Sequence, residues 1–550
     1  METYDYIIVG SGSAGSVLAR RLSADPTTKV LVLEYGGKDN SVFIQMPSAL
    51  SIPMNSPKYD WGFHTEPEPG LRGRRIHQAR GKVIGGSSSI NGMVWVRGNA
   101  GDFDDWEAAG ATGWSYADVL PYFRRAETYR VGPDDYRNTG GEQHVSRAPV
   151  KNPLYRAFIE AGRQAGYPVS QDYNGYMQEG FAVMDMSVKD GVRWSTANGY
   201  LKPSLKRSNL RLVMHALTHR VMLEGRRAVG VEYAVKGGPK VMARARREVI
   251  LSAGPINSPK LLMLSGICPA AHLKEHGIEV AHDLPGVGQN LHDHLEIWMQ
   301  QQCTQPITLN GVLGPFSKAM IGLRWLLFKD GLGASNHLEA NGHIRSKPGI
   351  PYPDIQHHLL GGAIAYDGSS SFKGHGFQAH IIQGKPKSRG ALTLRSASPM
   401  EAPRLVFNYL SAPYDREVFR NGIRLTREIF AQPAFDPYRG PEILPGADVQ
   451  TDDEMDDFVA QNAVTAYHPA GTCKMGGDQM AVVDPETRVH GIDGLRVIDS
   501  SIMPFVTNGN LNAPTIMIGE KGADHVLGKG MLPSLNTPAY RAKEWQSTQR

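Results

Sequence analysis

The sequence predicts an α/β protein: a Rossmann-like dinucleotide-binding domain joined to a second, α+β domain built on an antiparallel sheet. Three observations carry this. The chain opens on a βαβ pattern between Tyr4 and Glu34, where the β-branched run Ile7-Ile8-Val9 leads into Gly10-Ser11-Gly12-Ser13-Ala14-Gly15 and a second apolar strand ends on Glu34. From Asn209 onward short strands return (LRLVMH, HRVMLEG, RAVGVEYAV, REVILSAG) as a β-meander that feeds back into the first domain. From about Trp298 to Gln461 the texture changes to alternating strands (DIQHHLL, FQAHIIQ, LTLRS) with one or two helices, the pattern of a sheet with one face buried.

Each element of the βαβ unit has a physical reason. Gly10 and Gly12 let the backbone turn tightly and approach a pyrophosphate, and Gly15 lets helix and strand pack closely. Ser13 and Ala14 open the helix, whose N-terminus offers free N–H groups and a positive dipole end. Glu34 lies nineteen residues after Gly15, where its carboxylate accepts hydrogen bonds from both hydroxyls of an adenosine ribose. An acid there disfavours a 2′-phosphate, so NADP is set aside and FAD or NAD remain.

The 550 residues exceed what one core needs, so two domains sharing a cleft are expected. Apolar residues at 41% with 21% charge suit a soluble enzyme. The net charge of +5 is small for this length and its basic residues are interleaved with acids, which gives no support to a nucleic-acid partner. No run approaches the roughly 20 apolar residues of a membrane span, and nothing resembles a signal peptide. Three scattered cysteines, Cys268, Cys303 and Cys473, exclude a disulfide framework and fit a reducing cytoplasm. The location expected is therefore cytoplasmic. A peripheral position at the inner membrane stays open, although no amphipathic anchor stands out. Oligomeric state, including a homo-oligomer, cannot be read from these features.

The next informative run is RGKVIGGSSSINGM, residues 80–93. Its small residues and backbone donors let a large planar or phosphate-bearing ligand press against the main chain, with Val83, Gly85, Gly86, Ser87, Asn91, Gly92 and the following Val94 as the contacts. Asp102 to Arg130 reads as helical, and Tyr136 to Gly191 as a long excursion. Val221 falls in the strand expected to present backbone to an adenine ring. The boundaries expected are a cofactor domain over 1–155 and 191–297, a substrate-domain excursion over 156–190, and the substrate-binding domain over 298–461. The chain then returns to the cofactor domain over 462–530, through a strand ending on Asp499 and a helix beginning near Pro514. Residues 531–550 form a polar, loosely held tail.

Four separated signals stand in one order: GSGSAG with Glu34, the RGKVIGGSSSINGM run, GPINSPKLLMLSGI, and HPAGTCKMG followed by VIDSSIMP and GNLNAPTIMIGEK. Together they resemble the glucose–methanol–choline (GMC) family of FAD-dependent alcohol oxidoreductases over nearly the whole chain. Within it, YDW…TEPEP, GASNHLEANGHIRS and FNYLSAPYD resemble most the choline-oxidising dehydrogenases of bacteria, which start glycine betaine synthesis. The resemblance implies an FAD-binding domain of GMC type and assigns the base to His468, in Tyr467-His468-Pro469, with Asn512 hydrogen-bonding the substrate oxygen. It places Asn512, Pro514 and Thr515 at a helix start aimed at flavin N1 and O2, where the dipole stabilises the reduced ring. Ile90 stands where some relatives carry the histidine that bonds the flavin, so FAD is expected to be non-covalent.

Choline's quaternary ammonium cannot donate hydrogen bonds, so its site must offer aromatic faces and a carboxylate. Glu296, Tyr467 and His358 match the family's substrate-side residues, with the adjacent His357 leaving the last register open. The reaction implied is oxidation of choline to betaine aldehyde, and of the hydrated aldehyde on to glycine betaine, with a quinone or respiratory carrier as electron acceptor. A neutral aryl or aliphatic alcohol is the alternative substrate, and a non-catalytic flavin-binding redox sensor or electron carrier the alternative class. The histidines lack the paired spacing of a zinc site and the family needs no metal, so no metal is expected.

Overall fold

In the computed structural model, which describes residues 2–370 and 372–550, the opening apolar run forms the strand Glu2–Val9 at the centre of the first sheet. It pairs in parallel with Val30–Glu34 on one side and with Lys240–Leu251 on the other. Leu210–Met214 adds in parallel beyond Val30–Glu34. Every residue of Val30–Glu34 is buried, the mark of a parallel strand covered on both faces. Ala216–Glu224, Arg227–Val235 and the first half of Lys240–Leu251 make the antiparallel meander. The second half of that long strand is left free to pair in parallel with Leu495–Val497, which brings the C-terminal segment beside the N-terminal one.

The helix Ser13–Leu22 packs on the C-terminal helix Asn512–Val526. A glycine permits the approach, since a Cβ on Gly519 would stand 3.0 Å from Ala14 Cα. At their starts, Ser13 Oγ donates to Asn512 Oδ1 at 2.8 Å, so both positive helix ends meet at one point.

The second sheet is antiparallel throughout, in the order Arg439–Leu444, Leu295–Cys303, Gly376–Gln383, Ile355–Leu360, Leu338–Ile344, Gly180–Val183. Val464–Thr465 also pairs with Leu295–Cys303. Gly180–Val183 comes from the 156–190 excursion, while this sheet begins at Leu295 and reaches Thr465, three or four residues beyond the 298–461 span read from the sequence. The amphipathic helix Pro413–Phe430 buries Val418, Phe419, Ile423 and Phe430 against it.

Three readings change. The helical span from Asp102 to Arg130 is two helices, Ala100–Ala108 and Tyr116–Ala126, because Gly110 and Gly113 turn the chain at positive φ between them. The tail is docked rather than loose: Arg345 Nη1 donates to Thr548 O, Gly349 N to Trp545 O, and Arg550 pairs with Glu428. Its polar composition hid this, because few apolar residues, Leu532 and Leu535 among them, reach the core and the rest of the tail is held by backbone hydrogen bonds and charge. A helix not foreseen, Pro315–Phe328, lies within the second domain.

Candidate active site

An elongated cleft enclosing about 1910 Å³ of empty space, its mouth included, is lined from both sheets. Gly10, Gly12, Ser13, Ala14 and Glu34 line one end, and Gly86, Ser87, Asn91, Gly92 and Val94 one wall. Asp499, Asn512 and Thr515 lie where the C-terminal helix begins. Gly15, Val83, Gly85 and Pro514 stand behind this lining. A Cβ on Gly15 would fall 2.0 Å from Gly10 O, so Gly15 serves the close packing of turn on helix, and Gly85 N–H holds Ser11 O at 2.9 Å.

The residues of this end fit a dinucleotide. Glu34 is fixed by three donors, Ser11 N–H (3.0 Å) and Oγ–H (2.8 Å) on Oε2 and Gly36 N–H (2.7 Å) on Oε1, while burial raises its pKa. Neither Gly12 nor Leu511, the residues preceding the two helices, caps its helix with a side chain, so first-turn N–H groups stay free for an anion. A Cβ on Gly86 would stand 2.7 Å from Gly12 Cα, closing the channel their bare backbones leave. Asp499 braces the floor, accepting from Gly254 N–H, Ser258 Oγ–H and Ser501 N–H. Ile90 lines the cleft with a hydrocarbon side chain that offers no nucleophile.

Val221 does not belong to this lining. Its N–H donates to Ser265 Oγ at 2.8 Å and its side chain is buried in the core. The residues of that strand that reach the cleft are Ala216, Leu217 and Thr218, and Thr218 Oγ1 is buried without a partner. In that strand the cleft lining therefore ends three residues before Val221.

At the opposite end stand His468, Tyr467, Glu296 and His358, all lining the cleft. His468 N–H donates to Asp293 Oδ1 at 2.8 Å, and Asp293 Oδ2 is held by Tyr409, Thr465 and Gln78. The imidazole tautomer follows from its partners. His294 Nε2–H donates to Gly384 O at 3.2 Å, so His294 Nδ1 is an acceptor. It takes the Nδ1–H of His468 at 3.1 Å, which makes His468 Nε2 the acceptor nitrogen, on the side of the cleft. Burial, then the neighbouring His294, Arg80 and His358, hold His468 well below the ordinary 6.5, and burial pushes His294 down to about 3. Both rings are therefore neutral at pH 7.

The amide facing His468 is Asn510, not Asn512. Asn510 Nδ2 donates to His468 Nε2 at 3.2 Å, and its Oδ1 accepts from Gln356 Nε2 at 3.2 Å. Asn512 is the first helical residue, turned toward Ser13 and the glycine turn Gly10–Gly15. The helix start explains the difference: Asn512 already follows the helix axis, whereas Asn510, two residues earlier, lies in the approach loop and reaches across.

Strand alternation settles the histidine register. His358 faces the cleft with Nε2 unpartnered, and burial holds its pKa well below 6.5. His357 points to the opposite face, where its Nε2 meets Thr426 Oγ1 at 2.9 Å beside Phe158 and Phe181. Glu296 is held on one side only. Its Oε1 accepts from Trp298 Nε1 (2.7 Å), Tyr366 OH (2.7 Å) and His380 Nδ1 (3.1 Å), whereas Oε2 is buried and unpartnered. The Tyr366 ring packs on Tyr467 and Trp298, each at 5.4 Å between centroids. Tyr366, His294 and His380 escaped the sequence reading, because their partners come from distant strands and loops.

Among the described residues, one group of metal-ligand types gathers, His272, Glu275 and His276. His272 Nε2 accepts the Leu394 N–H at 3.0 Å, so its Nδ1 carries the proton and is no ligand in that tautomer. No helix among the described residues is long and apolar enough to cross a membrane.

Residues 4–296 and 386–519 match the two sequence models of the family described as GMC oxidoreductase. Curated proteins named oxygen-dependent choline dehydrogenase are similar along the whole chain. That of Brucella ovis is 58% identical over 99% of this chain and 100% of its own, and that of Photobacterium profundum 55% identical over 100% and 97%. Among solved structures, pyridoxine 4-oxidase from Mesorbium loti superposes with a TM-score of 0.86 at 32% identity, covering 96% of this chain and 100% of that one. A formate oxidase of Aspergillus oryzae RIB40, studied for modification of its FAD, gives 0.89 at 28% identity, covering 96% and 98%.

Proposed function

The chain belongs to the GMC oxidoreductase family, and from that premise we propose that it is an FAD-dependent dehydrogenase oxidising choline to betaine aldehyde. FAD, bound non-covalently along the glycine-lined end of the cleft, supplies the acceptor for the hydride that leaves the alcohol carbon. His468 Nε2, neutral and aimed into the cleft, takes the hydroxyl proton. Asn510 Nδ2 donates to the substrate oxygen and holds it against that imidazole. Asn512, with Thr515, holds the helix start against the cofactor end. Tyr467 and Tyr366 give faces without donors to the trimethylammonium, and Glu296 Oε2 gives it a counter-charge. His358 lies on the substrate side of the same chamber. The hydrated aldehyde is again an alcohol, so the same residues can carry the product on to glycine betaine.

The observation that carries this reading is the single free oxygen of Glu296. A buried carboxylate oxygen with no donor is costly unless a cation completes it, and an aromatic, donor-poor wall selects a cation that cannot hydrogen-bond. A neutral alcohol would leave that oxygen unpaired. The test is anaerobic: adding choline to the purified yellow holoenzyme bleaches the flavin absorbance, and a flavin that stays oxidised refutes the proposal. In this reading the electrons leave to a quinone or respiratory carrier. The relatives are named oxygen-dependent, and the rates of recolouring by air and by a quinone decide between the two acceptors.

The two asparagines separate cleanly. Asn510→Ala lowers kcat by about 10²-fold with FAD retained, as for loss of one donor to a reacting oxygen. Asn512→Ala lowers FAD occupancy on purification, read from the absorbance ratio of flavin to protein. Exchange of these two phenotypes would return the substrate-side role to Asn512.

A further inference from the structure

His468 follows a residue in a conformation that large side chains rarely adopt. Tyr467 has a φ of +65°, in the left-handed region, where its Cβ crowds the backbone. Such a backbone persists only where its surroundings over-determine it, and here three side chains do so. Thr465 Oγ1 accepts the Tyr467 N–H at 2.7 Å, Arg80 Nη2–H donates to Tyr467 O at 2.5 Å, and Asp293 Oδ1 accepts the His468 N–H at 2.8 Å. The last two act on a single peptide group, the link between Tyr467 and His468: a cation holds its oxygen and a carboxylate holds its N–H.

Asp293 is buried, and its two oxygens take donors from His468, Tyr409, Thr465 and Gln78, which suits an ionised acceptor. Burial pushes its pKa up, while Thr465, Tyr409, Gln78 and Arg80 act against that rise. Arg80 lines the cleft, and among the described residues its guanidinium donates to two carbonyls, Tyr467 O and Ala79 O, and to no carboxylate. The acids whose charge acts on it are Asp293 first and then Asp60. Asp60 is already committed, Oδ1 to the backbone N–H of Arg80 at 2.7 Å and Oδ2 to His77 Nε2 at 2.8 Å. Arg80 and Asp293 thus form an ion pair with a peptide between them, and the peptide dipole lies along their field, oxygen toward the cation and N–H toward the anion.

We propose that Arg80 is a positioning residue for proton abstraction: coupled to Asp293 through the Tyr467–His468 peptide, it holds that peptide plane and so aims the His468 imidazole at the substrate hydroxyl. This rests on the reading of His468 as the base. With the cation gone, Tyr467 relaxes out of the left-handed region and carries the imidazole off its line. The charge has a second effect. The titratable and charged groups facing the imidazole are His294, His358 and Arg80, with Asp293 at its backbone N–H and Glu296 on the wall of the same chamber. Of these Arg80 is the permanent cation, and it disfavours the imidazolium, so its removal lets the ring protonate at higher pH.

The experiment compares Arg80→Met and Arg80→Lys with the wild-type holoenzyme, in choline kinetics across pH and in crystals. Arg80→Met lowers kcat by about 10²-fold, the scale of a misplacement of about 1 Å at a reacting group, and methylguanidinium in the buffer restores about tenfold of it. The acid limb of its kcat/KM profile moves to higher pH, whereas that of Arg80→Lys, which keeps the charge, stays in place. In crystals of Arg80→Met the Tyr467–His468 peptide has turned and Tyr467 has left positive φ. A methionine variant with wild-type kcat overturns the proposal, as does a loss of kcat with the peptide unmoved and the acid limb in place. Should the methionine variant not fold with its flavin, Arg80→Lys decides: one amine cannot reproduce the fork on Ala79 O and Tyr467 O, so kcat falls, and a lysine variant with wild-type kcat overturns the proposal. A wild-type flavin that choline does not bleach, or a fully active His468→Gln, refutes the reading of the base instead, and the crystals still report whether Arg80 holds the peptide.

Discussion

Replacing His468 with glutamine lowers kcat/KM for choline by about 10²–10⁴-fold, the usual cost of removing a general base, while FAD stays bound. The geometry makes the loss specific. His468 Nδ1 is committed to His294 and its backbone N–H to Asp293, so Nε2, which meets only the amide of Asn510, is the nitrogen left to accept a proton in the cleft. Glutamine keeps the backbone bond to Asp293 and much of the volume, but its amide is not a base at any working pH. The sign of the pKa displacement matters too. Burial lowers the imidazole pKa, so the ring is in its proton-accepting form at neutral pH and loses that form only on acidification well below 6.5. Steady-state kinetics with choline, beside a flavin spectrum of each preparation, checks the prediction. Retention of more than about a tenth of wild-type kcat/KM, outside the range for loss of a base, would place the base elsewhere.

Much of this arrangement could be read from the chain because its causes are local. The turn Gly10–Gly15 and Glu34 need only their own strand and helix to be placed, and the alternation of strand residues brings Glu296 and His358 to one face. What escaped depends on pairing across the fold. Choosing between Asn510 and Asn512 requires knowing where the helix begins, because Asn510 precedes it and reaches the imidazole while Asn512 opens it and turns to Ser13. Choosing Thr218 over Val221 requires the phase of an edge strand whose register shifts between Thr218 and Arg220, the kind of irregularity that periodicity cannot place. A polar tail reads as loose because such sequences are weak signals when what holds them, such as the Arg345 guanidinium donating to Thr548 O, comes from far away in the chain. In the helix Pro315–Phe328 the residues Phe316, Met320, Leu323 and Leu327 do stand at helical spacing, but periodicity cannot tell that this stripe faces outward.

Glu296→Gln divides the substrates. With choline it raises KM and lowers kcat/KM by about 30- to 4,000-fold, the equivalent of about 2–5 kcal/mol for removing one partner of a buried charge pair. With 3,3-dimethyl-1-butanol, the neutral isostere in which carbon replaces nitrogen, the change is within about threefold, since no charge pair is lost. The reason lies in how the carboxylate is held. Trp298, Tyr366 and His380 all donate to Oε1, so the amide oxygen of glutamine settles there to keep accepting from them. The amide NH₂ is then forced into the position of Oε2, and the substrate pocket exchanges an unpaired negative oxygen for two N–H dipoles. To a quaternary ammonium this is repulsion where attraction had been; to a tert-butyl group it is nearly indifferent. Parallel kinetics on the two alcohols therefore isolate the charge from the shape of the site. Equal losses on both would mean that Glu296 holds the pocket together rather than reading the cation, and an unchanged choline rate would remove the carboxylate from substrate recognition altogether.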